Sequence, residues 1–212
     1  MNADRVRSRA TGLPWPALAL LVLAACGGGG SGQSGSAFVF LTVAQITGNA
    51  GGTSNSSLDD AGTSTAVCVA ISNTLKNPTV TAPTLLDNVT ITSYTVSYTR
   101  FDGGPPPGPF TFNTAFTVPA GTPGSTTQIV VIVPAQAKRN PPLASPRPQL
   151  PLTTSADITF KGRDGRGNSL STDGAVTVNF VATGDVAEAQ PSACAAPSGP
   201  SPTPTPTTTP HA

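Results

Sequence analysis

Charge is scarce in this chain. Asp, Glu, Lys and Arg make up only 10% of 212 residues, with 11 basic side chains against 10 acidic ones. The cations form no stripe, so nucleic-acid binding, which depends on clustered Lys and Arg, has no electrostatic support. Histidine occurs once, as His211, the penultimate residue of a proline-rich tail. That excludes a Cys/His zinc site and leaves a Ser or Cys nucleophile without an oriented base. The carboxylates Asp59, Asp60, Asp87, Asp102, Asp157, Asp164, Asp173, Asp185 and Glu188 fall mostly in predicted turns, where Asp ordinarily caps the local backbone. The chain is therefore not read as an enzyme, and no cofactor is expected. Long 3.6-residue periodicity is missing beyond the first 25 residues, which argues against a helical domain. In its place stand 23 Pro, 22 Gly and many Thr, Ser and Asn, the composition of a β-rich extracellular domain between flexible segments.

The N-terminus has a different character. Arg5, Arg7 and Arg9 make a basic start, and residues 13–25 carry no charge, with Leu18, Leu20, Leu21, Val22 and Leu23 making them strongly apolar. Thirteen residues span about 20 Å as a helix at ~1.5 Å per residue, short of the ~20 residues a bilayer requires. A basic start, a short apolar core and small residues at its end are the marks of an export signal.

The end of this segment, Leu23-Ala24-Ala25-Cys26, resembles the lipobox of bacterial lipoproteins. In that family the cysteine sulfur receives diacylglycerol, the signal is cut just before it, and the new amino group is usually acylated. The resemblance covers about 25 residues and implies that residues 1–25 are removed, that Cys26 is the lipid-bearing first residue, and that the partner it holds is a membrane. Position 27 is Gly. The Asp that retains many such proteins at the inner membrane is missing, so the resemblance implies the outer membrane or the cell surface, with a periplasm-facing orientation left open. Several acyl chains hold firmly, since each buried methylene adds ~0.8 kcal/mol and one myristoyl chain is only marginal.

Three cysteines remain to be accounted for, Cys26, Cys68 and Cys194, and an odd number in an exported chain needs an explanation. If Cys26 carries lipid, Cys68 and Cys194 are left for each other in an oxidising compartment. The rival account is plain secretion, with Cys26 in a disulfide and one thiol free. Signal removal takes three arginines and Asp4, leaving eight cations, nine acids and a net charge of −1.

The mature chain divides into three parts. Residues 26–36 are the lipidated Cys and a Gly/Ser tether, reaching ~15–20 Å by random-coil scaling. Residues 195–212 are a Pro/Thr tail, extended by alternating proline and read as a disordered terminus, with a wall-penetrating or glycosylated stalk as the alternative. Residues 37–194 are the domain. Strands are expected at residues 37–46, 65–72 and 89–100. One or two more fall in 110–118, and others at 128–133, around Ala156, Ile158 and Phe160, and around Val176, Val178 and Phe180. In the third of these, Val89 and Ile91 lie on odd positions but Tyr94, Val96 and Tyr98 on even ones, which demands a bulge or bend near Ser93. The last two strands flank a turn-rich connection, residues 162–174, suited to a hairpin.

Some 7–8 antiparallel strands with half-buried faces predict a single all-β sandwich. The terminal hairpin, beginning Asp157-Ile-Thr-Phe-Lys-Gly-Arg-Asp164 before Gly167-Asn168, resembles those of bacterial immunoglobulin-like and fibronectin-III-like surface modules. Cys68 falls on the small-residue side of its strand, opposite Val67 and Val69, a better place for a staple to a surface segment such as Cys194 than the sandwich centre.

Two loops are candidates for function. Asp164, Asn168 and Asp173 crowd hard oxygen ligands as Ca²⁺ requires. They lack the Asp/Asn alternation and the bidentate Glu of a calcium loop, and Arg163 and Arg166 oppose a cation, so no metal is assigned and a hairpin turn is preferred. The segment Phe101-Asp-Gly-Gly-Pro105-Pro106-Pro107-Gly-Pro-Phe110 can present a rigid binding edge or simply connect strands; residues 134–151 read as a second surface loop. Two functions are carried forward. One is a non-catalytic envelope module with a structural, adhesive or assembly role, its partners being envelope proteins or glycans. The other is a lipoprotein binding a glycan, small molecule or Ca²⁺ in support of a transporter or enzyme. A polar-lined cavity would favour the second; a filled sandwich with exposed edges and loops would favour the first.

Overall fold

The computed structural model describes residues 37–77, 79, 82–121, 125–144, 149–182 and 194. The segments expected to be a signal and a tether, with Cys26 between them, and the Pro/Thr-rich residues 195–212 lie outside the described residues. Eight strands form two sheets: β1 (Val39–Thr47), β3 (Thr65–Leu75) and β6 (Thr126–Val133) in the order β1-β3-β6, and β2 (Thr53–Ser57), β4 (Val89–Arg100), β5 (Phe110–Val118), β7 (Leu152–Asp164) and β8 (Ser169–Val181) in the order β2-β8-β7-β4-β5. The alternation in the sequence fills the space between the sheets. From the smaller sheet come Val39, Leu41, Val67, Val69 and Ile71; from the larger come Ile91, Val96, Ile158, Phe160, Val178 and Phe180, all without solvent exposure. Burying each such side chain contributes about 1.5–3 kcal/mol, so this filled layer is the main source of stability.

The change of parity in β4 is a bulge. Ile91 pairs with Gly162 of β7 and Ser93 with Lys161, so Thr92 is the extra residue, and its hydroxyl donates to the Lys161 carbonyl at 3.3 Å. The extra residue turns Tyr94 and Tyr98 onto the face that Ile91 occupies. Both sit in the core.

Two features depart from the expected pattern. The connection at residues 162–174 is mostly strand. β7 runs on to Asp164 and β8 begins at Ser169, because Gly162, Leu170 and Thr172 continue the inward alternation while Lys161, Arg163 and Ser169 stay outside. The other is β2. It carries no apolar residue and runs parallel to β8, from Thr53 beside Thr177 to Ser57 beside Val181, the one parallel pair among the described strands. Side chains hold this edge. Asn49 and Asn55 bond reciprocally, Asn179 Nδ2 donates to Asn55 Oδ1 at 3.3 Å, and Thr153 Oγ1 donates to Asn179 Oδ1 at 3.0 Å.

Strand direction gives the sandwich two distinct ends. Ala37, the end of β3, a single 3-10 turn at Leu85–Asp87 and the Gly165–Asn168 turn share one end. The links 58–64 and 101–109 share the other with residues 134–144 and 149–151, and there Lys138 Nζ donates to the Asp60 carbonyl and Arg139 Nε to the Ala61 carbonyl. The eleven steps from Val89 to Arg100 separate the ends by roughly 36 Å at ~3.3 Å each. Cys68 is bonded to Cys194, with Cα atoms 5.5 Å apart. Cys68 points away from Val67 and Val69, so Cys194 lies against the outer face of the smaller sheet.

Candidate interaction site

The proline loop is built around Arg100, the last residue of β4. Its Nε donates to Asp102 Oδ1 at 2.8 Å and its Nη1 to the Pro105 carbonyl at 3.1 Å, while Nη2 pairs with Asp102 Oδ2. The Gly104 amide donates to Asp102 Oδ1 at 3.1 Å. Gly103 has a φ of +73°, open to glycine at no steric cost. A Cβ on Gly104 would lie 2.6 Å from the guanidinium. The two glycines thus let the chain fold back over a fork that satisfies one carboxylate bidentately. The guanidinium, followed by the Gly104 amide, holds the Asp102 carboxyl down to about 2, and the same contact raises Arg100.

The clamp sorts the predicted loop residues. Phe101 stands out from the surface, 66% exposed, and Pro105 and Pro106 are exposed with it. Pro107 is buried. Phe110 opens β5, and its ring meets that of Tyr98 edge-on at 6.4 Å, so it belongs to the margin of the core and not to the loop surface. Beside Phe101 lies a shallow depression of about 470 Å³, with Gln149, Leu150, Pro151 and Thr153 on its walls. A second, of about 250 Å³, lies between Pro107–Phe110 and the helical turn α1 (Ala135–Lys138), reaching Asn140 and Pro141. Residues 134–151 are in part this ordered turn, closed by the Ala137 amide on the Pro134 carbonyl and the Arg139 amide on the Gln136 carbonyl, and in part a following one in which the Leu143 and Ala144 amides donate to the Asn140 carbonyl.

The oxygen-rich hairpin is a different object. Asp164 Oδ1 accepts from the amides of Arg166 (3.0 Å) and Asn168 (2.8 Å), and Oδ2 accepts from Asn168 Nδ2 at 2.7 Å. The carboxylate is spent on its own turn. Asp173 sits on β8 opposite Thr159, whereas Asn168 precedes the Arg163–Ser169 pair, so the strand carries Asp173 four steps or more from the turn. Among the described residues no group of three or more His, Cys, Asp or Glu gathers in metal-binding range. Arg100 is invisible to motif reading, although an Arg two residues before Asp at the start of a Gly-rich turn is available as a signal. Comparison with protein-family models, curated proteins and solved structures finds no match. The site stands on its geometry alone.

Proposed function

We propose that this chain is an envelope lipoprotein, anchored through Cys26, whose immunoglobulin-like sandwich is non-catalytic and binds protein or glycan partners through the proline-loop end. The observation that carries the reading is the Arg100–Asp102 clamp, which presents Phe101 with Pro105 and Pro106 as a preformed edge. An aromatic held rigid before contact loses little conformational entropy on binding, and exposed aromatics beside fixed proline backbone suit partner recognition. The core filled by Phe160, Phe180 and their neighbours supports action by surface contact more than by enclosing a ligand. The loop end also lies opposite Ala37, the end to which a lipid tether would attach.

Two measurements test the proposal. Mass spectrometry of the exported protein should find a diacylated N-terminal Cys26; an unmodified Cys26 or cleavage elsewhere removes the anchor. A photo-crosslinking residue at Phe101, in intact cells, should trap a discrete partner that the same residue at Lys161, on the solvent face of β7, does not. Equal trapping at both positions would reject the loop end as the binding surface.

A further inference from the structure

The end of the sandwich that carries Ala37 exposes an apolar surface too well organised to be incidental. Leu85 and Leu86, 85% and 50% exposed, occupy the 3-10 turn, and Phe38 and Phe40 project outward from the start of β1. The turn is held in place. Asp87 Oδ2 accepts from the Thr84 amide and hydroxyl at 2.8 and 2.7 Å, the Gly165 amide donates to the Leu86 carbonyl at 3.0 Å, and Asn73 Nδ2 bonds the Asp87 carbonyl at 3.0 Å. The leucines therefore cannot turn inward. Arg166 joins the two apolar pairs: its guanidinium lies 4.6 Å from the Phe38 ring centre, and its Nη1 is 2.5 Å from Asp87 Oδ1. Lys76 Nζ lies 5.3 Å from the centre of the Phe40 ring.

Exposed charge at this end is cationic among the described residues. Lys76 and Arg163 lie at its surface, Arg166 stands between Phe38 and its ion-pair partner Asp87, and the described acids here, Asp87 and Asp164, are each only 5% exposed and turned into hydrogen bonds. Apolar side chains interleaved with outward cations are what an anionic bilayer interface accepts: rings and leucines enter the headgroup boundary and the cations meet phosphate.

We infer that this face, formed by Phe38, Phe40, Leu85 and Leu86 with Lys76 and Arg166, seats the domain on the surface of an anionic phospholipid membrane. The inference rests on the reading of Cys26 as a lipid anchor, which also supplies the occupant. Only ten residues separate Cys26 from Ala37. Even fully extended, the eleven steps from Cys26 to Ala37, at ~3.3–3.6 Å each, reach no more than about 40 Å, and as a coil ~15–20 Å. The face is thus held at high local concentration beside the lipid, and Phe101 is directed away from it.

The test uses residues 26–212, which contain the whole sandwich and no tryptophan, the chain's single Trp being Trp15. With Cys68 and Cys194 bonded to each other, Cys26 is the free thiol and can be coupled to a maleimide phospholipid in phosphatidylcholine–phosphatidylglycerol vesicles with brominated acyl chains. Leu86→Trp fluorescence should be quenched several-fold more than that of Phe101→Trp, and Lys76→Glu with Arg163→Glu should reduce the difference. Equal quenching at the two positions, or none at Leu86→Trp, overturns the inference. So does a Leu86→Trp emission shift that follows protein density and not lipid, which would assign the face to a second copy. Chemical coupling makes this result independent of native acylation. An unmodified Cys26 in exported protein together with quenching at Leu86→Trp would reject the anchor and keep the lipid-binding face, and the reverse pair of results would do the opposite.

Discussion

The Tyr98 hydroxyl donates to the carbonyl oxygen of Ile132, joining β4 of the larger sheet to β6 of the smaller. The bond answers a local need. Thr65 pairs with Val133 and Ala66 with Val131, so Ile132 is the extra residue of a bulge in β6. One residue along, the Val131 amide donates to the Tyr94 hydroxyl at 3.2 Å. Both tyrosines of the protein thus span the interior to bind the backbone of one edge strand, and burial raises both phenol pKa values. Their rings rest on Phe112, Phe160 and Phe110, so each supplies packing and a polar tip together. Tyr98→Phe keeps the packing but strips the buried carbonyl of this donor, at a cost of ~1–3 kcal/mol. Thermal denaturation should fall by several degrees, at roughly 2–4 °C per kcal/mol for a domain of this size. An unchanged melt would show that the bond contributes nothing net.

The Cys68–Cys194 bridge spans 126 positions. Closing so long a loop restricts the unfolded chain, by ~4.7 kcal/mol for 100 residues on the chain-entropy argument, with native strain usually reducing the effect. Cys68→Ala should lower the melting temperature markedly, and a reductant should do the same to the parent but not to the variant. Free thiols at both positions in the folded, unreduced protein would contradict the pairing.

Acid should loosen the two ends of the sandwich. Folding lowers the carboxyl of Asp102, chiefly through Arg100, and that of Asp87, chiefly through the Thr84 amide and then Arg166. The unfolded chain therefore protonates first. The stabilisation is complete above the unfolded value near 4 and is lost as pH falls through the folded value, about 2 for Asp102,. Carboxyl titration by NMR should show both midpoints below the ordinary Asp value. Asp102→Asn should speed amide exchange at Gly104 at neutral pH and leave exchange in β7 unchanged.

Asp164 predicts a structural response without a metal response. Asp164→Ala removes the acceptor of three hydrogen bonds in the β7–β8 turn and should destabilise by ~1–3 kcal/mol. Millimolar Ca²⁺ should leave the parent melt where it is, since a ligand that binds only the folded state would raise it. A calcium-dependent rise would restore the hairpin as a cation site.

Gly162 marks where β7 passes closest to the β4 bulge. A Cβ there would sit 2.6 Å from the Thr90 carbonyl oxygen, a backbone atom that cannot swing aside. Gly162→Ala should cost about 1–3 kcal/mol by overpacking, read as a lower denaturant midpoint with the slope unchanged. A neutral result would mean that the strands separate easily at this point.

Strand alternation is legible in the sequence because it is local: successive side chains of an extended chain point to opposite faces. Val67, Val69 and Ile71 are therefore assigned inward and Cys68 outward, and the parity change from Ile91 to Tyr94 announces the bulge at Thr92. β2 gives no such signal, because Thr53-Ser-Asn-Ser-Ser57 has no apolar residue to reveal a face. Its place depends on Asn55 and Asn179, 124 residues apart. The loop is marked by its prolines, but the clamp that shapes it belongs to Arg100, which composition does not single out.

From sequence alone came the all-β character and the number and phase of the apolar strands, because each depends on near neighbours along the chain. Only the tertiary structure decided the partners: β2 parallel to β8, Tyr98 against Ile132, Arg100 turned onto Asp102, and Leu85, Phe38 and Arg166 gathered at one end. Those choices rest on which distant segments close the core with their polar groups satisfied, and contacts of that kind leave no period in the sequence.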